Sequence, residues 1–254
     1  MERRNWSREE LILAFNLYCT IPYGTFHGRN PKVIELANLI GRTPNSLALK
    51  LSNFASFDPY HKARGIKGLQ NVGRLDREIW DEFTNNWDAL IFENEKILAA
   101  KQKTTLEKKY LLEDLSAKKG EHRISEVKVR INQNFFRNAI LSIYNFRCAI
   151  SGIDIPDLLI ASHIIPWSHN EKERLNPRNG ICFSPLYDSC FDKGYIGITQ
   201  EYRLAISQEL KSNMQKEYFM RHFGFFEKRE ISLPDRFLPE PAFLDYHYQN
   251  IFRK

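Results

Sequence analysis

Leu158-Leu159-Ile160-Ala161-Ser162-His163-Ile164-Ile165-Pro166-Trp167 is an apolar run that reads as a strand carrying one histidine near its end, with Pro166 to stop it. Downstream, Asn179-Gly180 is a strong turn signal, and Ile181-Cys182-Phe183 makes a second short strand. Ser184-Pro185 then reads as a helix cap followed by proline at the first helical position. The helix carries Leu186-Tyr187-Asp188-Ser189-Cys190-Phe191-Asp192 and closes at Lys193-Gly194. The order is strand, loop, strand, helix.

That arrangement gathers one histidine, one asparagine and two carboxylates. Asp188 and Asp192 stand at i and i+4, on one helix face, where like charges repel unless a cation or solvent screens them. Oxygen ligands of this kind favour Mg²⁺ or Mn²⁺ over zinc. A histidine beside a metal and a phosphate suits a general base, because its ordinary pKa lies near neutrality. Taken singly, each residue also has a plainer reading: a structural histidine, a hairpin turn at Asn179-Gly180, a solvated helix end at Asp192.

Outward from this core, a helix with Phe135, Phe136, Ile140 and Tyr144 at apolar positions precedes Arg147-Cys148-Ala149-Ile150-Ser151-Gly152. Between Ile91 and Leu115 there is no glycine or proline and the charge is mixed, as in Glu107-Lys108-Lys109, which predicts an exposed helix ending at Lys118-Lys119-Gly120. The first ninety residues read as a helical unit. Ser7 and Glu10 form a capping-box pattern, and Val33, Leu36, Ala37 and Ile40 make a stripe that stops at Gly41. Thr43-Pro44 starts another helix, giving a helix-turn-helix pattern whose second helix carries Arg42, Asn45, Ser46 and Lys50 near its start, where a recognition helix would meet a DNA groove. An ordinary helical hairpin with a solvated face has the same pattern. The expected organisation is α+β: a helical, helix-turn-helix-like domain over 1–90, a helical linker over 91–124, and a second domain over 125–254.

The chain has 254 residues, 43% hydrophobic and 13% aromatic, which is enough to bury real cores and excludes wholesale disorder. A net charge of +6 accommodates a polyanion without requiring one. No apolar run reaches bilayer length, the first residues lack a secretory apolar core, and four irregularly spaced cysteines (Cys19, Cys148, Cys182, Cys190) do not make a disulfide framework. With no Cys-x-x-Cys pair, they are expected to be small buried residues rather than zinc ligands, in a cytoplasmic protein with reduced thiols. His169, His222 and His247 have no evident spacing partner.

The stretch around Ser162-His163-Ile164, the Arg174-Leu175-Asn176-Pro177-Arg178-Asn179-Gly180 loop and Asp188-Ser189-Cys190-Phe191-Asp192-Lys193-Gly194 together resemble the HNH (ββα-metal) endonucleases, specifically a bacterial restriction-type branch. The likeness runs from about Ser125 onward. It extends through the Leu238-Pro239 and Phe243-Leu244-Asp245-Tyr246-His247 tail, and more weakly to Trp6-Ser7-Arg8-Glu9-Glu10-Leu11 and Arg42-Thr43-Pro44-Asn45-Ser46. The resemblance implies that His163 deprotonates the attacking water, Asn179 fixes the loop and orients that base, and Asp188 binds the metal, with 5′-phosphate and 3′-hydroxyl products. It further implies a C-terminal ββα-metal nuclease domain, Mg²⁺ or Mn²⁺ as cofactor, and double-stranded DNA as partner. Arg174 and Arg178 are expected on phosphates, and a homodimer is expected for a double-strand break. Two positions depart from the pattern. Ser162 stands where many members have a metal-binding Asp or His, leaving Asp192 as candidate second ligand, and Tyr187 stands where relatives often have His, which leaves its role open. Rival expectations are a modification-dependent restriction nuclease, a nuclease acting on RNA or structured DNA, and a non-catalytic DNA-binding regulator.

Overall fold

A computed structural model describes residues 4–65, 72–106 and 128–254, and the backbone of 121–127. The charged stretch 107–120, with its expected helix end at Lys118-Lys119-Gly120, lies outside the described residues. The chain is mixed helix and sheet and divides into two compact units, Met1–Ala139 and Ile140–Lys254.

The first unit is built around helix α1 (Arg8–Thr20), whose residues Leu11 to Phe15, Leu17, Tyr18 and Cys19 are all buried. A helix apolar on every side has to be wrapped, and α2 (Pro31–Ile40), α3 (Pro44–Ala55), α5 (Arg74–Phe83) and α6 (Trp87–Lys101) wrap it, with the short α4 (Pro59–Ala63) after α3. Phe15 meets Tyr18, Phe54, Trp80 and Trp87 at centroid separations of 5.0–6.2 Å. The capping box forms: Ser7 Oγ accepts from Glu10 N at 3.2 Å, and Ser7 N donates to Glu10 Oε2 at 3.0 Å. Gly41 ends α2 in the left-handed region at φ 67°, and Thr43 Oγ1 caps α3 by accepting from Ser46 N at 3.2 Å.

The expected boundary after residue 90 meets a continuous helix. It falls inside α6, whose Leu90 and Ile91 are buried against α1, so the composition change at residue 91 marks a helix with one wet face rather than a linker. The first unit extends to Ala139, partway along α7 (Glu121–Ile143), and the second starts at Ile140 rather than 125.

In the second unit, β1 (Ile160–His163) and β2 (Gly180–Phe183) pair antiparallel, with Ser162 opposite Ile181 and His163 opposite Gly180. Helix α8 (Pro185–Asp192) packs on both strands, with Phe183 and Phe191 in contact at 5.4 Å. The strand is shorter than its apolar run suggests, because Leu158 closes a 3₁₀ turn and stays exposed. Asn179-Gly180 is not a tight hairpin turn. Asn179 ends a second 3₁₀ turn and Gly180 begins β2 in extended conformation at φ −140°, so a loop from Ile164 to Asn179 joins the strands. At the far end of α8, Gly194 takes φ 74°, and a Cβ there would sit 2.1 Å from Ile251 O. A second hairpin follows, β3 (Ile196–Ile198) with β4 (Leu204–Ile206), then α9 (Gln208–Lys211), α10 (Glu217–Phe219), a π-helical turn (Met220–Gly224) and α11 (Pro241–Asn250), which packs on β3. No helix among the described residues is long and apolar enough to cross a membrane.

Candidate active site

His163 closes β1 with its ring edge-on to Trp167 at 5.5 Å. Its Nε2 lies 2.9 Å from Arg174 O. A carbonyl only accepts, so Nε2 carries the proton and Nδ1 is the basic nitrogen of the neutral ring. Burial lowers the His163 pKa below the ordinary imidazole value, while the bond to Arg174 O pulls it back up. The imidazole is therefore neutral near pH 7, the state a base needs.

Asn179 ties down the loop next to the carbonyl that holds the histidine, through the Glu173 carbonyl one residue before Arg174. It is fully buried, its Oδ1 accepts from Ile165 N at 2.8 Å, and its Nδ2 donates to Ile165 O at 3.3 Å and Glu173 O at 3.1 Å. Ile164 N also donates to Asn179 O at 3.0 Å. One amide thus ties the start of the loop to its end, one residue before Arg174.

Asp188 lies in the first turn of α8, where the helix N-terminus favours negative charge. Burial raises its pKa, and the neighbouring Ser162 hydroxyl works in the opposite sense. That hydroxyl is 3% exposed at the residue level; it acts on the carboxylate electrostatically yet has no partner at hydrogen-bond geometry. Asp192 is raised first by burial and then by the charge of Asp188. The structure therefore brings Ser162, Asp188 and Asp192 together beside β1. Among the described residues no ion pair involves either aspartate, and no three of His, Cys, Asp or Glu form a ready-made metal cage. A part-buried carboxylate at Asp188 and a more exposed one a turn away at Asp192, neither ion-paired among the described residues, beside the Ser162 hydroxyl, fit a hard divalent ion that takes one or two carboxylates and fills its other positions with water and phosphate oxygen.

Tyr187 is buried, its hydroxyl donates to His222 O at 2.8 Å, and burial pushes its pKa up to about 12. It serves as an anchor rather than as a substitute ligand. Cys148 and Cys182 are buried as expected, but Cys190 is only half-buried. Cys148 Sγ accepts from Ser184 N at 3.3 Å, fixing the start of α8 where the Ser184 side chain makes no capping bond.

The residues expected on DNA are placed unevenly. Arg42 is bound internally: its guanidinium meets Glu10 at 2.8 and 3.2 Å, donates to Arg4 O and Asn5 O, and lies 4.6 Å from the Trp6 ring. Lys50 pairs with buried Asp76 at 2.8 Å. Reaching a phosphate would require Arg42 and Lys50 to give up these bonds. Asn45 is exposed and Ser46 half-exposed at the start of α3. Arg174 stacks on Trp167 at 5.0 Å, donates to Trp167 O at 2.6 Å and pairs with Glu171, while Arg178 pairs with Glu240 at 2.8 Å and donates to Leu238 O.

Sequence reasoning missed two participants, the Arg174 and Glu173 carbonyls, because backbone acceptors leave no residue-type signal. The search of curated proteins gave no match. Residues 148–199 match the family model described as HNH endonuclease, so the stretch holding His163, Asn179, Asp188 and Asp192 is similar to the nuclease domain of that family.

Proposed function

We propose that this chain is a metal-dependent DNA endonuclease of restriction type, with His163 as general base. The observation that carries the reading is the bond from His163 Nε2 to Arg174 O, which makes Nδ1 the proton acceptor on a ring that burial keeps neutral. In the proposed reaction Nδ1 takes a proton from water, the water oxygen attacks phosphorus, and the bond from phosphorus to the 3′ oxygen breaks. The ends produced are 5′-phosphate and 3′-hydroxyl. Asn179 keeps the loop that carries Arg174 O, and so keeps the ring from turning its other nitrogen to the substrate.

Asp188 and Asp192 would hold the cation, with Ser162 donating to a carboxylate or to a bound water. Mg²⁺ or Mn²⁺ there would supply Lewis-acid stabilisation of the charge on the scissile phosphate and the departing 3′ oxygen. Duplex DNA is the proposed partner, positioned by Lys172 and Lys193, both exposed, and by Asn45 and Ser46 of the first unit. Because one such site cuts one strand, a homodimer is proposed for double-strand breaks.

Plasmid cleavage with Mg²⁺ or Mn²⁺ tests the reading. His163→Ala should lower the rate by about 10²–10⁴-fold with the fold intact. Equal cleavage by the two proteins removes His163 from the mechanism.

A further inference from the structure

The segment between β4 and α11 takes no part in the site, yet it exposes large apolar side chains: Met214 (49%), Tyr218 (44%), Met220 (45%) and Phe225 (58%). Single exposed apolar residues are ordinary, whereas a cluster marks an interaction surface. Phe219 and Phe223, each 4% exposed, turn inward and pack at 6.0 Å. Tyr218, Arg221, His222 and Phe225, by contrast, all stay exposed along this segment. Two aromatic rings thus bracket two basic groups. Among the described residues, Arg221 is held by an exposed pair with Glu217 one turn away, a bond that yields at little cost.

The stripe is fastened to the candidate active helix. Tyr187, the residue before Asp188, donates to His222 O at 2.8 Å and packs edge-on against Phe223 and Phe226 at 6.1 and 6.2 Å. The Met220–Gly224 segment makes a π-helical turn, and a Cβ on Gly224 would crowd Met220 Sδ at 2.8 Å. We infer that Tyr218 and Phe225 stack on unpaired bases while Arg221 and His222 meet the adjoining phosphates, so that the preferred substrate is DNA with unpaired nucleotides beside the cleavage point. Aromatic faces reward bases that are not already stacked in a duplex, and a bracketed basic pair suits the backbone between them. This inference rests on the nuclease reading for its substrate.

The test uses the full chain carrying His163→Ala in EDTA, and compares binding to a fully paired duplex and to the same duplex with a short thymidine flap. The parent should prefer the flapped DNA. Tyr218→Ala/Phe225→Ala should lose about tenfold or more on the flap and little on the paired duplex, with Phe225→Ala alone giving a part of that loss and Phe225→Trp retaining the preference. A double variant that keeps the flap preference, or a parent that shows none, overturns the inference. So does a dimer that dissociates on substitution while binding per chain is unchanged, since the stripe would then serve self-association. Wild-type cleavage with Mg²⁺ is scored separately: if no DNA is cut the nuclease reading fails, while the binding comparison still decides the stripe.

Discussion

His247 gives the second unit a measurable weakness toward acid. The residue is 2% exposed, its ring stacks on Phe191 at 3.6 Å, and its Nε2 donates to Phe191 O at 3.0 Å, while Nδ1 has no hydrogen-bond partner. Burial lowers its pKa from the ordinary 6.5 to about 4, against the smaller upward pull of the Phe191 carbonyl. The unfolded chain takes up a proton near pH 6.5 that the folded chain refuses until about pH 4. Stability from this group is therefore complete above pH 6.5 and falls as pH drops toward 4. The whole interval is worth about 3 kcal/mol, and most of it is gone by roughly pH 4.5. The carboxyls of Asp188 and Asp192, raised chiefly by burial, act with the opposite sign, since protonating them relieves a cost. A variant isolates the histidine. His247→Phe keeps a flat ring against Phe191 and removes the titration; it loses one hydrogen bond, about 1 kcal/mol at every pH, because Phe191 O still accepts from Gly194 N at 2.9 Å. Urea unfolding near pH 7 and pH 4.5, read by pulsed hydrogen exchange on peptides from 241–253, reports this unit alone. The wild type should lose on the order of 2–3 kcal/mol more than His247→Phe between the two pH values. Equal losses would mean that His247 is protonated as readily folded as unfolded, and the burial argument would fail.

Asn179→Ala strands the buried Ile165 N–H and two carbonyls, so chemical denaturation should show a loss of about 3 kcal/mol, and cleavage should fall further than the fraction unfolded explains. Asp192→Asn removes one of two like charges a turn apart on α8, and should raise metal-free stability by a few tenths of a kcal/mol while shrinking the melting shift produced by Mn²⁺. If the Mn²⁺ shift is unchanged, Asp192 is not a ligand. Arg42→Ala leaves Glu10, 4% exposed, with Arg4 as its remaining ion-pair partner and should cost about 3 kcal/mol; the salt slope of DNA binding by the folded protein should not change. Burial alone would raise Glu10, but the bonds from Arg42, Arg4 and Ser7 outweigh it and hold its pKa at about 2.

What was legible in the chain was local. Ser7 with Glu10, Gly41, and Thr43 with Pro44 mark helix ends through interactions that span three or four residues, and each forms as written. The order of His163, Asn179 and Asp188 was readable for the same reason, since each sits at the edge of a short element with its own stop signal. Distance along the chain is what hid the rest. Arg42 looked available for DNA because its partner Glu10 is 32 positions away, and Lys50 because Asp76 is 26 away. His247 had no spacing partner because the group it serves, Phe191 O, is 56 positions off. Asn179-Gly180 resembled a turn because the dipeptide signal is local, whereas the asparagine's three side-chain bonds reach back to Ile165 and Glu173.

The two departures from the family pattern share one physical account in terms of charge. A carboxylate just before His163 and another at Asp188 would give a divalent cation two negative partners, one from the strand and one from the helix. Here the strand position holds Ser162, and the second carboxylate stands four residues along the helix at Asp192, so the total charge around the site is preserved. A third carboxylate at position 162 would be poorly tolerated, because it would add a like charge beside Asp188, which burial already raises and whose charge in turn raises Asp192, with no ion-paired Lys or Arg at either aspartate among the described residues. Tyr187 follows from the same rearrangement. With both carboxylates on α8, the residue preceding Asp188 is released from any ligand duty, and its hydroxyl is committed to His222 O. On this reading the helix supplies the charge, the strand supplies the base, and Asn179 sets the distance between the loop and both.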